Sequence, residues 1–467
     1  MKTEAPVSFF GTVTALNDNL VRCEGLNGVV GIGDLCSIGN PMAKRLANLG
    51  GSDRASIDQG LLGQSGILAE VVGFAADHAF LLPYDDLDGL AFGASVQVEQ
   101  ARQTVRPHAS WRGRVLDAMG TPLDGLPLLE QGPHSYSLMQ RGLPAHRRRL
   151  VGDRLTIGVR AIDLFTPCCQ GQRLGIFAGS GVGKSTTLSM IAKGSDADII
   201  IVGLIGERGR ELNEFLERSL GADGLARSVV IAATSDTPAL VRRRAAYLTM
   251  TIAEYFRDQG AKVLCLLDSV TRFAMALREI RLAAGEAPAA RGYPAGVFAE
   301  LPRLLERAGP GEGEGSITAF FSVLVDGDDT NEPITDAVRG ILDGHVQLDR
   351  AIAEAGRFPA IDVLKSISRT APACYAEREL PLVSRARKLM HNYAQMAELI
   401  ELGAYQHGTN PELDEAIRVR PNLEALLQQR PDQQADLDDS QDRLAQALAD
   451  VAVNDAGGDA PIEVSVA

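Results

Sequence analysis

The run Ala178-Gly179-Ser180-Gly181-Val182-Gly183-Lys184-Ser185-Thr186 sets an ammonium group and two hydroxyls directly behind a cluster of glycines. Glycine lets a backbone curl until successive N–H groups face one anion. Placed between an apolar strand and a helix, such a loop cradles the phosphates of a nucleoside triphosphate. Lys184 then reaches the β- and γ-phosphates, and the Ser185 hydroxyl ligates Mg²⁺. Residues 174–177 are apolar and residues 187–192 are helix-compatible, so the context fits. Ala178 stands where the strict motif has its first glycine; its small side chain predicts a modest constraint rather than a lost site.

Three further segments carry groups suited to triphosphate hydrolysis. Gly206-Glu207-Arg208-Gly209-Arg210-Glu211 follows a second apolar run. A carboxylate there can activate water against a γ-phosphate, and Arg208 can neutralise charge on it. A solvated turn capping the next helix is the competing reading. Val263-Leu264-Cys265-Leu266-Leu267-Asp268 has the Walker B form, with Asp268 holding Mg²⁺ or its bound water. An aspartate that merely caps the following helix is the alternative. Within residues 356–369, Phe358 is a candidate to pack on an adenine face or in a core. Arg369 is a candidate arginine finger or an ordinary salt-bridge partner.

These residues need strands to hold them. Strands are expected at 174–178, 199–205, 229–233, 263–268 and 317–325, alternating with amphipathic helices: Leu212, Phe215, Leu216 and Leu220 share one face, and Ala253, Tyr255 and Phe256 lie on another helix. That alternation predicts a doubly wound α/β domain over residues 98–371, with ligands at the carboxyl ends of its strands. Before it, residues 1–97 read as short strands (10–16, 66–74, 79–82) and turns, giving an N-terminal β-barrel. After it, residues 372–440 read as an α-helical domain with helices at 385–402, 411–418 and 423–429. Residues 441–467 read as an acidic, flexible tail.

Composition narrows the partners. The 467 residues are 45% hydrophobic, enough for two or three cores, and the net charge is −14, from 46 Lys plus Arg against 60 Asp plus Glu. An acidic surface repels phosphate backbones, so no specific nucleic-acid partner is expected. The basic run His146-Arg147-Arg148-Arg149 reads as a solvated linker. Cys23, Cys36, Cys168, Cys169, Cys265 and Cys374 have no metal-ligand spacing and read as reduced, structural thiols of a cytosolic protein. The seven histidines form no cluster. No signal peptide or membrane span is legible.

Taken in order, these motifs resemble the catalytic subunits of rotary F-type and V-type ATPases, and most closely the flagellar and virulence type III export ATPases. Residues 113–125, 178–186, 206–211 and 267–272 carry the general likeness; residues 291–298, 301–309 and 340–345 favour the export branch, and residues 326–333 look flagellar. The resemblance implies a central RecA-like P-loop ATPase domain between the barrel and the helical domain, a homohexameric ring, and ATP and Mg²⁺ as ligands.

Carried over by position, Gly179, Ser180, Gly181, Val182, Gly183, Lys184, Ser185 and Thr186 contact phosphate. Ser185 and Asp268 serve the metal, Glu207 activates water, and Arg208 binds phosphate. Arg369 faces the adjacent subunit's nucleotide, and Phe358 packs on adenine. Residues 285–298 correspond to the loop facing the ring's pore. Implied partners are a stator-like regulator, a stalk-like subunit, export chaperones and substrates, and a membrane export gate met peripherally from the cytoplasm. Related flagellar ATPases carry an amphipathic helix before the barrel. Here the strand-like Val7-Ser8-Phe9-Phe10 begins almost at once, which puts regulator docking through such a helix in doubt. Beside a flagellar export ATPase, the alternatives are an injectisome (virulence) type III secretion ATPase, a catalytic subunit of an F- or V-type ATP synthase, and an RNA translocase; an aromatic content of 5% argues against the last.

Overall fold

The computed structural model describes residues 10–17, 19–39, 66–99, 103–325 and 332–449. Val7-Ser8-Phe9, the acidic stretch 326–331 and residues 450–467 lie outside the described residues.

Six short strands, β1 (Phe10–Asn17), β2 (Leu20–Glu24), β3 (Leu35–Gly39), β4 (Ile67–Ala75), β5 (His78–Pro83) and β6 (Ser95–Val98), close into a barrel in the order β1-β2-β5-β4-β3-β6. Alternation puts Val13, Val21, Cys23, Cys36, Val71, Leu81 and Val96 inside. The barrel is anchored to the next domain through charge. Glu70 of β4 accepts from Tyr84 Oη at 2.6 Å and pairs with Arg243 at 2.8 Å, and Arg243 also holds Glu300 at 2.7 Å.

The central domain is a nine-stranded sheet. Its strands are β7 (Val115–Leu116), β8 (Arg173–Ala178), β9 (Ile199–Glu207), β10 (Ser228–Thr234), β11 (Lys262–Asp268), β12 (Ser316–Leu324), β13 (Gly344–Leu348) and β14 (Ile361–Ser368), with the short strand Gly309–Pro310 pairing off the main path. The spatial order is β14-β13-β8-β12-β11-β9-β10-β7. Pairing is parallel from β13 through β7, and β14 runs antiparallel at the edge.

Continuous apolar strands predict burial on both faces, and the core divides accordingly. Ile200, Val202 and Leu204 face one layer, which includes helix α1 (Lys184–Gly194). Ile199, Ile201 and Ile205 face the other, built from α2 (Ala239–Asp258), α3 (Val270–Ala283) and α4 (Ala295–Leu305). The expected spacing of Leu212 to Leu220 becomes a helix, Gly209–Glu214, that widens into a π-helical turn, Phe215–Leu220.

Three helices follow the sheet: α5 (Glu379–Glu401), α6 (Pro411–Leu427) and α7 (Leu437–Ala449). They correct the sequence reading twice. The helices expected at 411–418 and 423–429 are one, running through Pro421, because Leu413, Ala416, Val419, Leu423 and Leu426 form a continuous buried stripe that outweighs one missing N–H. The tail expected to be flexible from residue 441 is helical to Ala449, because Leu444, Ala447 and Leu448 pack into the core layer shared with α1. The cysteines give a third correction. Cys169 and Cys374, 205 residues apart, are disulfide-bonded, since the fold brings their Cα atoms to 6.3 Å, within bridging range. The other four, Cys23, Cys36, Cys168 and Cys265, are buried free thiols.

Candidate active site

The carboxyl ends of β8, β9 and β11 lie at one edge of the sheet, where a doubly wound fold forms its crevice. The loop after β8 is shaped by glycine. Gly183 takes φ 103° as it enters α1, a conformation an L side chain rarely adopts. No side chain caps the first turn of α1, so its amides are left for an anion. The departure at Ala178 is explained: this residue closes β8 in extended backbone, and its carbonyl accepts from Val325 N at 2.9 Å.

At the end of β9, Gly206 takes φ 72°, and a Cβ there would stand 2.9 Å from Arg272 Cβ. This turn redirects the chain so that Glu207 faces the loop. Lys184 Nζ then reaches two carboxylates, Glu207 Oε1 at 3.3 Å and Asp268 Oδ1 in closer contact. Ser322 of β12 donates to the same Asp268 oxygen at 2.6 Å. All are shielded, with the side chains of Lys184, Glu207 and Asp268 at 13%, 17% and 6% exposure.

Burial dominates the electrostatics here. It pushes the Glu207 carboxyl up to about 7; Lys184 pulls it back and Asp268 adds to the rise. For Lys184, burial works against the ammonium, but Asp268 and Glu207 together outweigh it and hold the amine above its ordinary value. A carboxylate that titrates near neutrality suits proton abstraction from water.

Glu207 and Asp268 line a cavity of about 530 Å³ together with Ser185, Thr186, Glu211 and Pro431, and Lys184 is ion-paired to both carboxylates. Hard oxygen donors, the Ser185 hydroxyl and the Asp268 carboxylate, share it, a set that suits Mg²⁺ and offers a softer transition metal nothing.

The other candidate residues sit elsewhere. Phe358 flanks the loop: a Cβ at Gly183 would lie 3.9 Å from its Cδ1, and the ring is 42% exposed. Arg208 points to solvent at 72% exposure and pairs with Glu211 at 3.5 Å. Arg369, just past β14, is exposed and outside the cavity, with its backbone N–H held by Asp343 O at 2.9 Å. Residues 285–298 span the connection from α3 and the first turn of α4, pinned at the base by Arg281 to Glu286 at 2.8 Å.

Sequence reasoning missed Ser322, Glu211 and Arg350, whose guanidinium caps the Ser180 carbonyl at 3.1 Å. A lone hydroxyl inside the apolar run Ala319-Phe320-Phe321-Ser322-Val323-Leu324 was the available signal, because a buried hydroxyl requires a partner.

Comparison with known proteins fits this geometry. Residues 158–368 match the ATP synthase alpha/beta family, nucleotide-binding domain, and residues 375–446 match the T3SS EscN ATPase C-terminal domain. The chain is 51% identical over 449 residues to the flagellum-specific ATP synthase of Caulobacter vibrioides, covering 95% of this chain and 96% of that one. It is 46% identical over 366 residues to the SPI-2 type 3 secretion system ATPase of Salmonella typhimurium, covering 78% and 84%. The assembled ATPase EscN of the enteropathogenic E. coli type III secretion system superposes with a TM-score of 0.84 at 38% identity, covering 94% of this chain and all of that one. EscN in complex with its central stalk EscO superposes at 0.82 with 37% identity over the same shares.

Proposed function

The chain belongs to the family of flagellum-specific ATP synthases and type III secretion ATPases, and from that premise we propose that it is the MgATP-hydrolysing motor of flagellar protein export, working as a homohexameric ring. The observation that carries this reading is the pairing of Lys184 with Glu207 and Asp268, two carboxylates that line one cavity with Ser185 at the sheet's carboxyl edge.

The residues divide the work as follows. Uncapped amides of α1 and the loop from Gly179 to Gly183 receive the phosphates, and Lys184 leaves its two carboxylates for the more highly charged triphosphate. That departure frees Glu207 to orient a water and accept its proton. Ser185 and Asp268 would hold Mg²⁺, which when bound would supply charge neutralisation for the phosphates. Thr186 extends the phosphate contacts, and Phe358, beside Gly183, packs on the adenine. Arg369 points out of its own subunit and completes the neighbour's site; Arg208 swings from its exposed position once phosphate is bound. The assembled ATPase EscN and its complex with a central stalk among the structural neighbours support assembly of this chain and a stalk-like partner.

Coupling to export chaperones and substrates, a stator-like regulator and a cytoplasmic location at the inner face of the membrane export gate are part of the same proposal. Among the described residues no helix is long and apolar enough to cross a membrane. The test is ATPase activity measured beside mass in solution over a concentration series. Turnover per chain should climb as hexamers form; hexamers without MgATPase activity would end the proposal. A virulence secretion role is the second reading, favoured by the 46% relative and the EscN structures. Restored motility in cells lacking their flagellar ATPase would decide for the flagellar role.

A further inference from the structure

We infer that Ser322 is a positioning residue for Asp268, holding one carboxylate oxygen so that the other is presented to the metal of the bound nucleotide. The inference rests on the MgATP reading and names a residue that no sequence motif marks.

Topology makes Ser322 the natural holder. β12 lies between β8, which leads into the phosphate loop, and β11, which ends in Asp268. Its register sets Ser322 opposite Ile176 on one side, while Phe321 stands opposite Leu267 on the other. A side chain at this position therefore reaches the base of the crevice from beneath. Phe320, on the same face two residues back, is fully buried and apolar, and Ser322 itself is 0% exposed. A hydroxyl in such surroundings is costly unless it is bonded. Its bond runs to Asp268 Oδ1 at 2.6 Å, the length of a charge-assisted O–H···O⁻ contact.

The same oxygen also receives Lys184 Nζ, and no hydrogen bond from the described residues reaches Oδ2. Two donors thus converge on one oxygen, but they differ in permanence. On the MgATP reading, Lys184 leaves for the triphosphate. Ser322 is fixed in a central strand and stays. With nucleotide bound it is the donor that continues to set the Asp268 rotamer, a terminal torsion that is otherwise broad. Residues that orient a metal-binding carboxylate in this way commonly change metal affinity by roughly 10–100-fold when removed.

The test uses the full-length chain and a fluorescent ADP analogue, titrated over a range of Mg²⁺ concentrations. Ser322→Ala should raise the Mg²⁺ needed for half-maximal enhancement of ADP affinity by roughly ten-fold. Its Mg²⁺-free ADP affinity should stay within about two-fold of wild type, since the phosphate loop is untouched. Ser322→Thr, which keeps the hydroxyl, should restore the wild-type Mg²⁺ requirement, and Ser322→Cys, a weak donor, should behave like alanine. A Ser322→Ala protein with an unchanged Mg²⁺ requirement would overturn the role of Ser322 alone. So would a Thr variant that folds with the wild-type thermal midpoint yet fails to rescue. A wild-type protein whose ADP affinity ignores Mg²⁺ would instead overturn the MgATP reading, and this inference with it.

Discussion

Two ends of the same sheet carry catalytic candidates, and they are built in opposite ways. At β8, β9 and β11, Lys184, Glu207 and Asp268 are shielded and charge-paired, and the two carboxylates line one cavity. At β14, the opposite edge, Arg369 stands exposed outside that cavity, with only its backbone N–H pinned to Asp343. Burial with paired charges describes groups that one subunit assembles by itself. An arginine held firmly by its main chain and left in water at the side chain describes a group offered to something else. On the proposed reading, the buried groups are one subunit's share of a site and Arg369 is its contribution to the neighbour's.

The strongest way to break that comparison is Arg369→Ala. Arginine fingers contribute about 10³–10⁵-fold to turnover, so kcat should fall by orders of magnitude while nucleotide affinity, read by fluorescence titration, barely moves. A comparable loss of affinity would place Arg369 within its own site. Glu207→Gln comes next, with a loss of about 10²–10⁴-fold in kcat as expected for a general base, and ATP binding retained.

The pH profile sharpens the same point. Burial pushes the Glu207 carboxyl up to about 7, and on the proposed reading the reactive form is the carboxylate. As pH rises through that value the base is deprotonated, so kcat/KM should climb on the acid side with a midpoint near 7, since this ratio reports the free enzyme. The limb should vanish in the residual activity of Glu207→Gln. Phe358→Ala should have the smallest effect: removing one partly exposed ring costs about 1 kcal/mol, a rise in KM of roughly five-fold with kcat nearly unchanged.

The buried half was legible in the sequence because its signals are local. Gly181, Gly183 and Lys184 form one short loop, and both Glu207 and Asp268 end apolar runs that read as strands. Five central strands were foreseen within two residues at each end, for the same reason of continuous apolar character. What escaped were pairings across the chain. Cys169 meets Cys374, and Ser322 meets Asp268, only after the sheet has ordered its strands. The helix ending at Ala449 hid behind an acidic, glutamine-rich composition, although Leu444 and Leu448 are spaced to share one helical face. Pro421 suggested a break that the packing of its helix does not allow.

The most direct test of the divided site mixes two inactive proteins. Arg369→Ala keeps an intact phosphate loop, and Lys184→Ala keeps an intact Arg369. In exchanging hexamers, a Lys184→Ala subunit beside an Arg369→Ala subunit rebuilds one complete site at the shared boundary. The account predicts that MgATPase activity reappears on mixing and peaks near equal amounts. Activity that stays absent at every ratio, in rings shown by mass to contain both chains, would contradict it.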